Sequence, residues 1–198
     1  MALESSIAIE YYHLDPPLEE EQTPLPYGSV EYAAVERLLV GSLKGYRLSV
    51  KDIVALHNPR TYEKFADNVE LYRHKPGAVV MRLLHGTRPD NVNAIFESNL
   101  KLSKTNLTDE NRNSKWYCGE GFYFTNSAPY ACSPRFTGFG EKHLLLFDVL
   151  VGSVARLPRG KMYPPEGIDT TQPEDETVES YAKFGEDLFY PTHLIVCN

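Results

Sequence analysis

Apolar positions recur along this chain with two periods, and they divide it into helices and strands. In "SVEYAAVERLLVGSLKG" Ala34, Leu38 and Leu39 fall on one helical face, with Ser29 as N-cap and Gly45 as stop signal. "YRLSVKDIVAL" alternates as a strand, and "NPRTYEKFADNVELY" then sets Tyr62, Phe65, Ala66, Val69 and Tyr72 at helical spacing. From Ala78 to Leu84 every residue but Arg82 is apolar, which predicts a buried strand with His85 where it leaves the core. Gly86 then allows a tight turn or a close backbone approach, and Thr87, Pro89 and Asp90 start a helix carrying Val92, Ile95 and Phe96.

Beyond Ser98 the pattern weakens. "KLSKTNLTDENRNSKWY" has neither period, and Ser103 to Lys115 is expected to border a site as a weakly held loop. "GFYFTN" reads as a strand, "SAPYACSPRF" as a short irregular or helical turn, and "HLLLFDVLVGS" as a buried strand ended by Gly152. "LPRGKMYPPEGIDTTQPEDE" reads as a long loop, and "SYAKF" and "THLIVC" as two closing strands around a Gly185-Glu186 turn. Residues 1–28 are proline-rich and acidic, with too little apolar periodicity to fold alone, and are expected to form an arm, leaving one domain over 29–198. The order of elements predicts an α+β fold rather than alternating βαβ units.

Composition narrows the chemistry. A length of 198 residues suits a single core, and a net charge of −7 argues against a surface for phosphate backbones, so nucleic acid is not the expected partner. No apolar run approaches a bilayer span and the N-terminus lacks a signal-peptide pattern, which predicts no membrane partner and an intracellular protein, cytoplasmic or nuclear. Cys118, Cys132 and Cys197 form no CxxC pair and the histidines no HExxH motif, so no metal site is expected. Cys118 is expected to be a bystander thiol, since no base is evident beside it. The "GEG" of "CGEGFYF" is no dinucleotide fingerprint, because a third glycine and a following helix are missing.

Taken together, "LLHGT", "GEGFYF", "LLLFDVLVGS" and "LFYPTHLI", in this order, resemble the catalytic domain of the poly(ADP-ribose) polymerase family, and most closely its short mono-ADP-ribosyltransferase members. The resemblance implies an ADP-ribosyltransferase fold: two packed antiparallel β-sheets with flanking helices, gripping NAD as ADP-ribose donor in a cleft. It implies that His85 donates a hydrogen bond to the adenosine ribose. It further implies that the Gly86 backbone pairs with the nicotinamide carboxamide and that Tyr123 lines the nicotinamide ribose side.

Two departures stand out. The family serine that bonds the carboxamide falls, without gaps, on Ala131; Ser133 takes its place after a small shift, with Tyr130 or Phe136 as the ring stacked on nicotinamide. Near the C-terminus Ser180 stands where polymer-forming members carry a glutamate. A serine hydroxyl hydrogen-bonds a ribose but brings no charge or base, and its neighbour Glu179 serves only if the strand register slips. Glu186 and Asp187 read as loop charges. The implied activity is NAD-dependent mono-ADP-ribosyl transfer to a protein acceptor. The alternatives are an inactive NAD-binding or interaction module of the same fold and, disfavoured by charge, transfer to a nucleic-acid end.

Overall fold

The computed structural model describes residues 6–102, 118–175 and 180–198. The expected loop at Ser103 to Lys115, and Glu179, lie outside the described residues. Among the described residues there are ten strands: β1 (Ser6–Ala8), β2 (Glu21–Pro24), β3 (Val50–His57), β4 (Val79–Thr87), β5 (Phe122–Thr125), β6 (Lys142–Val151), β7 (Val154–Leu157), β8 (Thr170–Pro173), β9 (Ser180–Lys183) and β10 (Phe189–Cys197). Five helices accompany them: α1 (Val30–Gly41), α2 (Pro59–Tyr72), α3 (Pro89–Ser98) and the single-turn α4 (Ala128–Ala131) and α5 (Pro134–Thr137).

Local chemistry sets the helix ends. The Ser29 hydroxyl accepts from the Tyr32 amide at the start of α1. Asn58 caps α2 by accepting from the Arg60 and Thr61 amides, ahead of Pro59 in the first turn. The same Asn58 donates its side-chain amide to the Phe96 carbonyl and so ties α2 to α3. Asn99 ends α3 in the left-handed region at φ 61° and donates to the Phe189 carbonyl of β10.

The strands run in the order β2-β3-β10-β6-β4-β5-β9-β8-β7, with β1 beside β4. Neighbours are antiparallel except for the parallel pair β7 and β8. The expected two sheets are visible as two halves that remain hydrogen-bonded at one place. A single register pair, Leu84 with Thr125, connects β4 to β5 and so joins β2-β3-β10-β6-β4 to β5-β9-β8-β7.

Three features differ from the pattern-based expectation. The strand does not end at His85: β4 continues through His85, Gly86 and Thr87, paired with Leu145, Leu144 and His143 of β6. The loop of the last third contains β8, whose threonine- and proline-bearing sequence lacks apolar alternation, and β7 leads into it. The segment before Ser29 supplies β1 to β4 and β2 to β3 as edge strands; β2 is polar and held by backbone bonds, while Ile7 of β1 packs with Ile9 and Tyr12 against α2.

Alternation along the strands separates two core faces. Leu83, Leu145, Phe147 and Phe124 pack with Val92, Ile95 and Phe96 of α3. Leu84, Leu144, Leu146 and Ile195 pack on the other face with α1 and α4, and Val80, Leu150 and Tyr190 there meet α2.

The half-sheet β5-β9-β8-β7 is secured by a buried ion pair. Lys183 is 0% exposed, and its ammonium bonds Asp169 at 2.9 Å and the Thr170 hydroxyl at 2.8 Å. Burial lowers the Lys183 pKa to about 8 even though Asp169 raises it; burial pushes Asp169 up, but Lys183, Thr170 and the Gly152 amide hold it at about 2. Removing Asp169 strands a fully buried ammonium, whereas Asp169 keeps Lys75, the Thr170 hydroxyl and the Gly152 amide when Lys183 is lost. Asp169→Asn is expected to destabilise the protein by about 3–5 kcal/mol, whereas Lys183→Met, which removes the charge together with its desolvation, costs less. Urea unfolding measures both, and equal losses would refute this account.

Candidate active site

The site forms where the two half-sheets diverge. β4 has β6 along one edge, while its other edge carries β1 at Val79–Met81 and β5 at Leu84. Past Leu84 that second edge has no strand partner among the described residues, leaving His85, Gly86 and Thr87 at an open fork. Their side-chain positions alternate between the faces, so His85 stands on the α3 face and Gly86 on the α4–α5 face. A ligand touching both residues has to cross the strand edge, and only the fork permits this.

His85 bridges the fork. Its Nδ1 lies 2.9 Å from the Tyr123 carbonyl of β5, and its ring packs on Phe124 and edge-on to Phe147, with centroids 5.9 and 6.1 Å away. Burial lowers the His85 pKa, and the bond to Tyr123 offsets part of that shift. A carbonyl only accepts, so Nδ1 carries the proton of the neutral ring and Nε2 is left as a lone-pair acceptor. In that tautomer Nε2 is able to accept from a ribose hydroxyl, whereas the family resemblance implies a donor there.

Tyr123 offers the same polarity. Its hydroxyl donates to the Gly119 carbonyl at 2.6 Å and accepts from the Cys118 amide at 3.1 Å, so its proton is already committed to the loop ahead of β5. Gly119 adopts φ 117° with the Phe184 ring 2.6 Å from where a Cβ would sit, and both requirements select glycine.

Gly86 has a packing reason to be glycine. A Cβ there would overlap the carbonyl oxygen of Ala131, at the end of α4, and lie 3.3 Å from Cβ of Phe136 in α5. The missing side chain therefore admits the α4–α5 hairpin, not only a ligand. Phe136 is the ring set against Gly86. Tyr130 meets Phe136 edge-on at 5.4 Å, and the Arg135 guanidinium lies 4.5 Å from the Phe136 ring and bonds the Tyr130 hydroxyl. Ser133, half-buried, opens α5, and Ala131 contributes its backbone. Arg135, between proline and phenylalanine, carries no sequence signal for this position.

Ser180 lies in the row that joins the half-sheets. Leu84 pairs with Thr125, and Thr125 pairs with Ser180. The row spans three strands, so Ser180 is about 10 Å from Leu84. Ser180 is 1% exposed, and its hydroxyl has no hydrogen-bond partner among the described residues. Tyr123, Thr125 and Ser180 share one face of β5 and β9. The Thr125 hydroxyl, which sequence reasoning missed, accepts from the Ser127 amide and shapes the exit from β5.

Other candidates are accounted for elsewhere. Glu186 is not a free loop charge: Lys101 and the Leu102 amide bond its carboxylate and lower its pKa. Cys118 is fully buried, and burial pushes its thiol up to about 11, unsuited to a nucleophile. No group of three metal-ligating side chains occurs among the described residues, and no described helix is long and apolar enough to cross a membrane.

The family model described as the poly(ADP-ribose) polymerase catalytic domain matches residues 29–191. The chain belongs to this family. The fold is therefore that of the ADP-ribosyltransferases, NAD is the donor substrate, and the general activity is transfer of ADP-ribose. No curated protein matches the chain. In this poly(ADP-ribose) polymerase domain the open edge of β4 adjoins Phe136, and the His85 Nδ1 and Tyr123 hydroxyl protons are engaged by backbone carbonyls.

Two outcomes follow from the fork. Gly86→Ala, which leaves the backbone groups in place, is expected to cost about 1–3 kcal/mol and to weaken NAD binding by displacing α4 and α5; unchanged melting temperature and NAD affinity would refute the packing role. His85 has a folded pKa below its unfolded value of about 6.5, so the unfolded chain binds more protons and stability rises with pH. Its contribution is complete above about pH 6.5 and is lost as pH falls toward the folded value. His193 is lowered by burial as well and acts in the same direction. His85→Gln should flatten the acid limb of a stability–pH profile, and an unchanged limb would exclude a buried neutral imidazole.

Proposed function

We propose that this domain transfers a single ADP-ribose unit from NAD to a carboxylate side chain of a protein. The observation that supports this reading is Ser180, a buried hydroxyl in the Leu84–Thr125 row, at the position where the family resemblance calls for a glutamate in polymer-forming members.

In the reaction the bond between nicotinamide and ribose C1 breaks, nicotinamide departs with the electron pair, and an acceptor oxygen forms the new bond to C1. The cationic charge on the ribose then has to be stabilised by position and dipoles. Gly86 holds the carboxamide through its backbone at the open edge, while Phe136, steadied by Arg135 and Tyr130, covers the ring. His85 and Tyr123 orient the ribose hydroxyls by accepting from them, and Ser180 contributes an uncharged hydroxyl that finds in a ribose the partner it otherwise lacks. A ribose hydroxyl acceptor requires a general base, typically worth 10² to 10⁴-fold, and serine cannot supply one. A carboxylate acceptor is already anionic and needs none. One unit is transferred and the chain does not grow.

The test is incubation with adenine-labelled NAD, resolving protein-bound label, free nicotinamide and free ADP-ribose. Single adducts released by neutral hydroxylamine, which cleaves esters, are expected. A ladder of polymer would overturn the reading, and NAD binding without nicotinamide release would favour an inactive binding module. Ser180→Ala should slow nicotinamide release about five- to tenfold, the worth of roughly 1 kcal/mol for one hydrogen bond. No change would remove Ser180 from the site.

A further inference from the structure

A second cleft, of about 250 Å³, opens on the α1 and α2 face between the segment Tyr12–Pro17, the first turn of α1, and strands β3, β6 and β10. None of the residues placed at the fork lines it. Its floor is Asp148, the register partner of Arg82, four residues before Gly86 on β4 and so about 13 Å along the strand from it.

The lining is acidic and aromatic. Asp15, Glu31 and Asp148 bring three carboxylates, and Tyr12, Tyr62 and Tyr190 bring three rings. Asp148 is 5% exposed; its Oδ2 accepts from the Tyr12 hydroxyl at 2.7 Å, while its Oδ1 has no hydrogen-bond partner among the described residues. The nearest cation, Arg82 Nε, is 3.5 Å from that oxygen, too far for a good hydrogen bond. Burial raises the Asp148 pKa, with Arg82 and Tyr12 opposing the shift. A carboxylate that is short of donors and costly to keep charged gains from a cation brought to it. His193 does not supply that cation: it bonds Glu31 at 3.1 Å, and burial lowers its pKa.

We propose that this cleft binds a cationic side chain, the guanidinium or ammonium of an arginine or lysine in a basic segment of a partner protein. Carboxylates set among aromatic rings favour such a group, and three carboxylates repel an anion. The volume is small for a drug-sized molecule and ample for one side chain. Exposed Glu19 and Glu21 follow the Tyr12–Pro17 segment in the chain, Glu20 there being paired with Arg60, and Leu18, Tyr11 and Val30 are exposed next to lining residues in sequence. The complementary partner is a basic peptide segment, attracted at long range and anchored by one inserted side chain. This site stands independently of the reaction proposed at the fork.

Fluorescence polarisation with the full chain and a short labelled peptide tests it, the peptide carrying an arginine pair flanked by alanine and glycine, against a lysine version and a glutamine version. The arginine or lysine peptide should bind, more weakly as salt rises, and the glutamine peptide should not. Asp148→Asn and Glu31→Gln should each weaken binding about tenfold. Glu31 is half exposed on the first turn of α1, so its variant keeps the test valid if Asp148→Asn impairs folding. Equal binding of the glutamine peptide, or affinity unchanged in Glu31→Gln, overturns the site and leaves only a diffuse acidic surface. Methylguanidinium binding as tightly as the arginine peptide overturns the protein partner and makes a free small cation the ligand.

Discussion

One register pair, Leu84 with Thr125, holds the two halves of the sheet together, and most of the site depends on its being the only one among the described residues. Further pairing would close the edge of β4 at Gly86, and complete separation would leave Ser180 with no fixed relation to His85. The bond from His85 Nδ1 to the Tyr123 carbonyl is a side-chain continuation of that seam, placed where backbone pairing stops. It fixes the separation of the strands and also the tautomer of the imidazole, so the geometry and the hydrogen-bond polarity of the fork have one cause.

The fork is framed by close backbone approaches. Ala131 comes against Gly86 and so sets Phe136 beside the open edge; the carbonyl of Lys183 comes equally close to Gly121 and lets β5 and β9 run together. The three glycines of the two motifs thus act through what packs on them. A side chain at any of the three would push an element that carries part of the site, and the effect on ligand binding would be transmitted rather than direct. Buried charge is treated differently in the two halves of the molecule. Lys183 and Asp169 are mutually paired and have additional hydrogen-bond partners, so they pin a half-sheet; Asp148 has Arg82 and Tyr12 as partners but keeps Oδ1 without a hydrogen bond, beside the cleft proposed to take a cationic side chain.

The apolar pattern determined α1, α2, α3, β4 and β6, because long amphipathic helices and continuous apolar strands carry their period in the residues themselves. The motifs determined the family, and with it NAD as substrate and the general reaction. His85, Gly86 and Tyr123 were singled out by the same motifs. The short strands β1, β2, β7 and β8 were not legible, since three or four residues are too few to carry a period and backbone pairing with another strand defines them. The continuation of β4 through His85 and Gly86 was hidden for a related reason: its partner β6 holds it in register although a histidine and a glycine end the apolar run.

Tertiary structure alone decided which ring stands beside Gly86, since Tyr130 and Phe136 are equivalent by sequence and only the approach of Ala131 to the missing Cβ selects Phe136. It decided that His85 and Tyr123 present acceptors, because the Tyr123 and Gly119 carbonyls that take their protons lie across a fork and in a loop. It also placed Asp148 with Tyr12 and Arg82, residues 136 positions apart in one case, at the floor of a cleft. A linear pattern records what each residue buries; hydrogen-bond direction and the pairing of charges belong to neighbours that meet only when the chain folds.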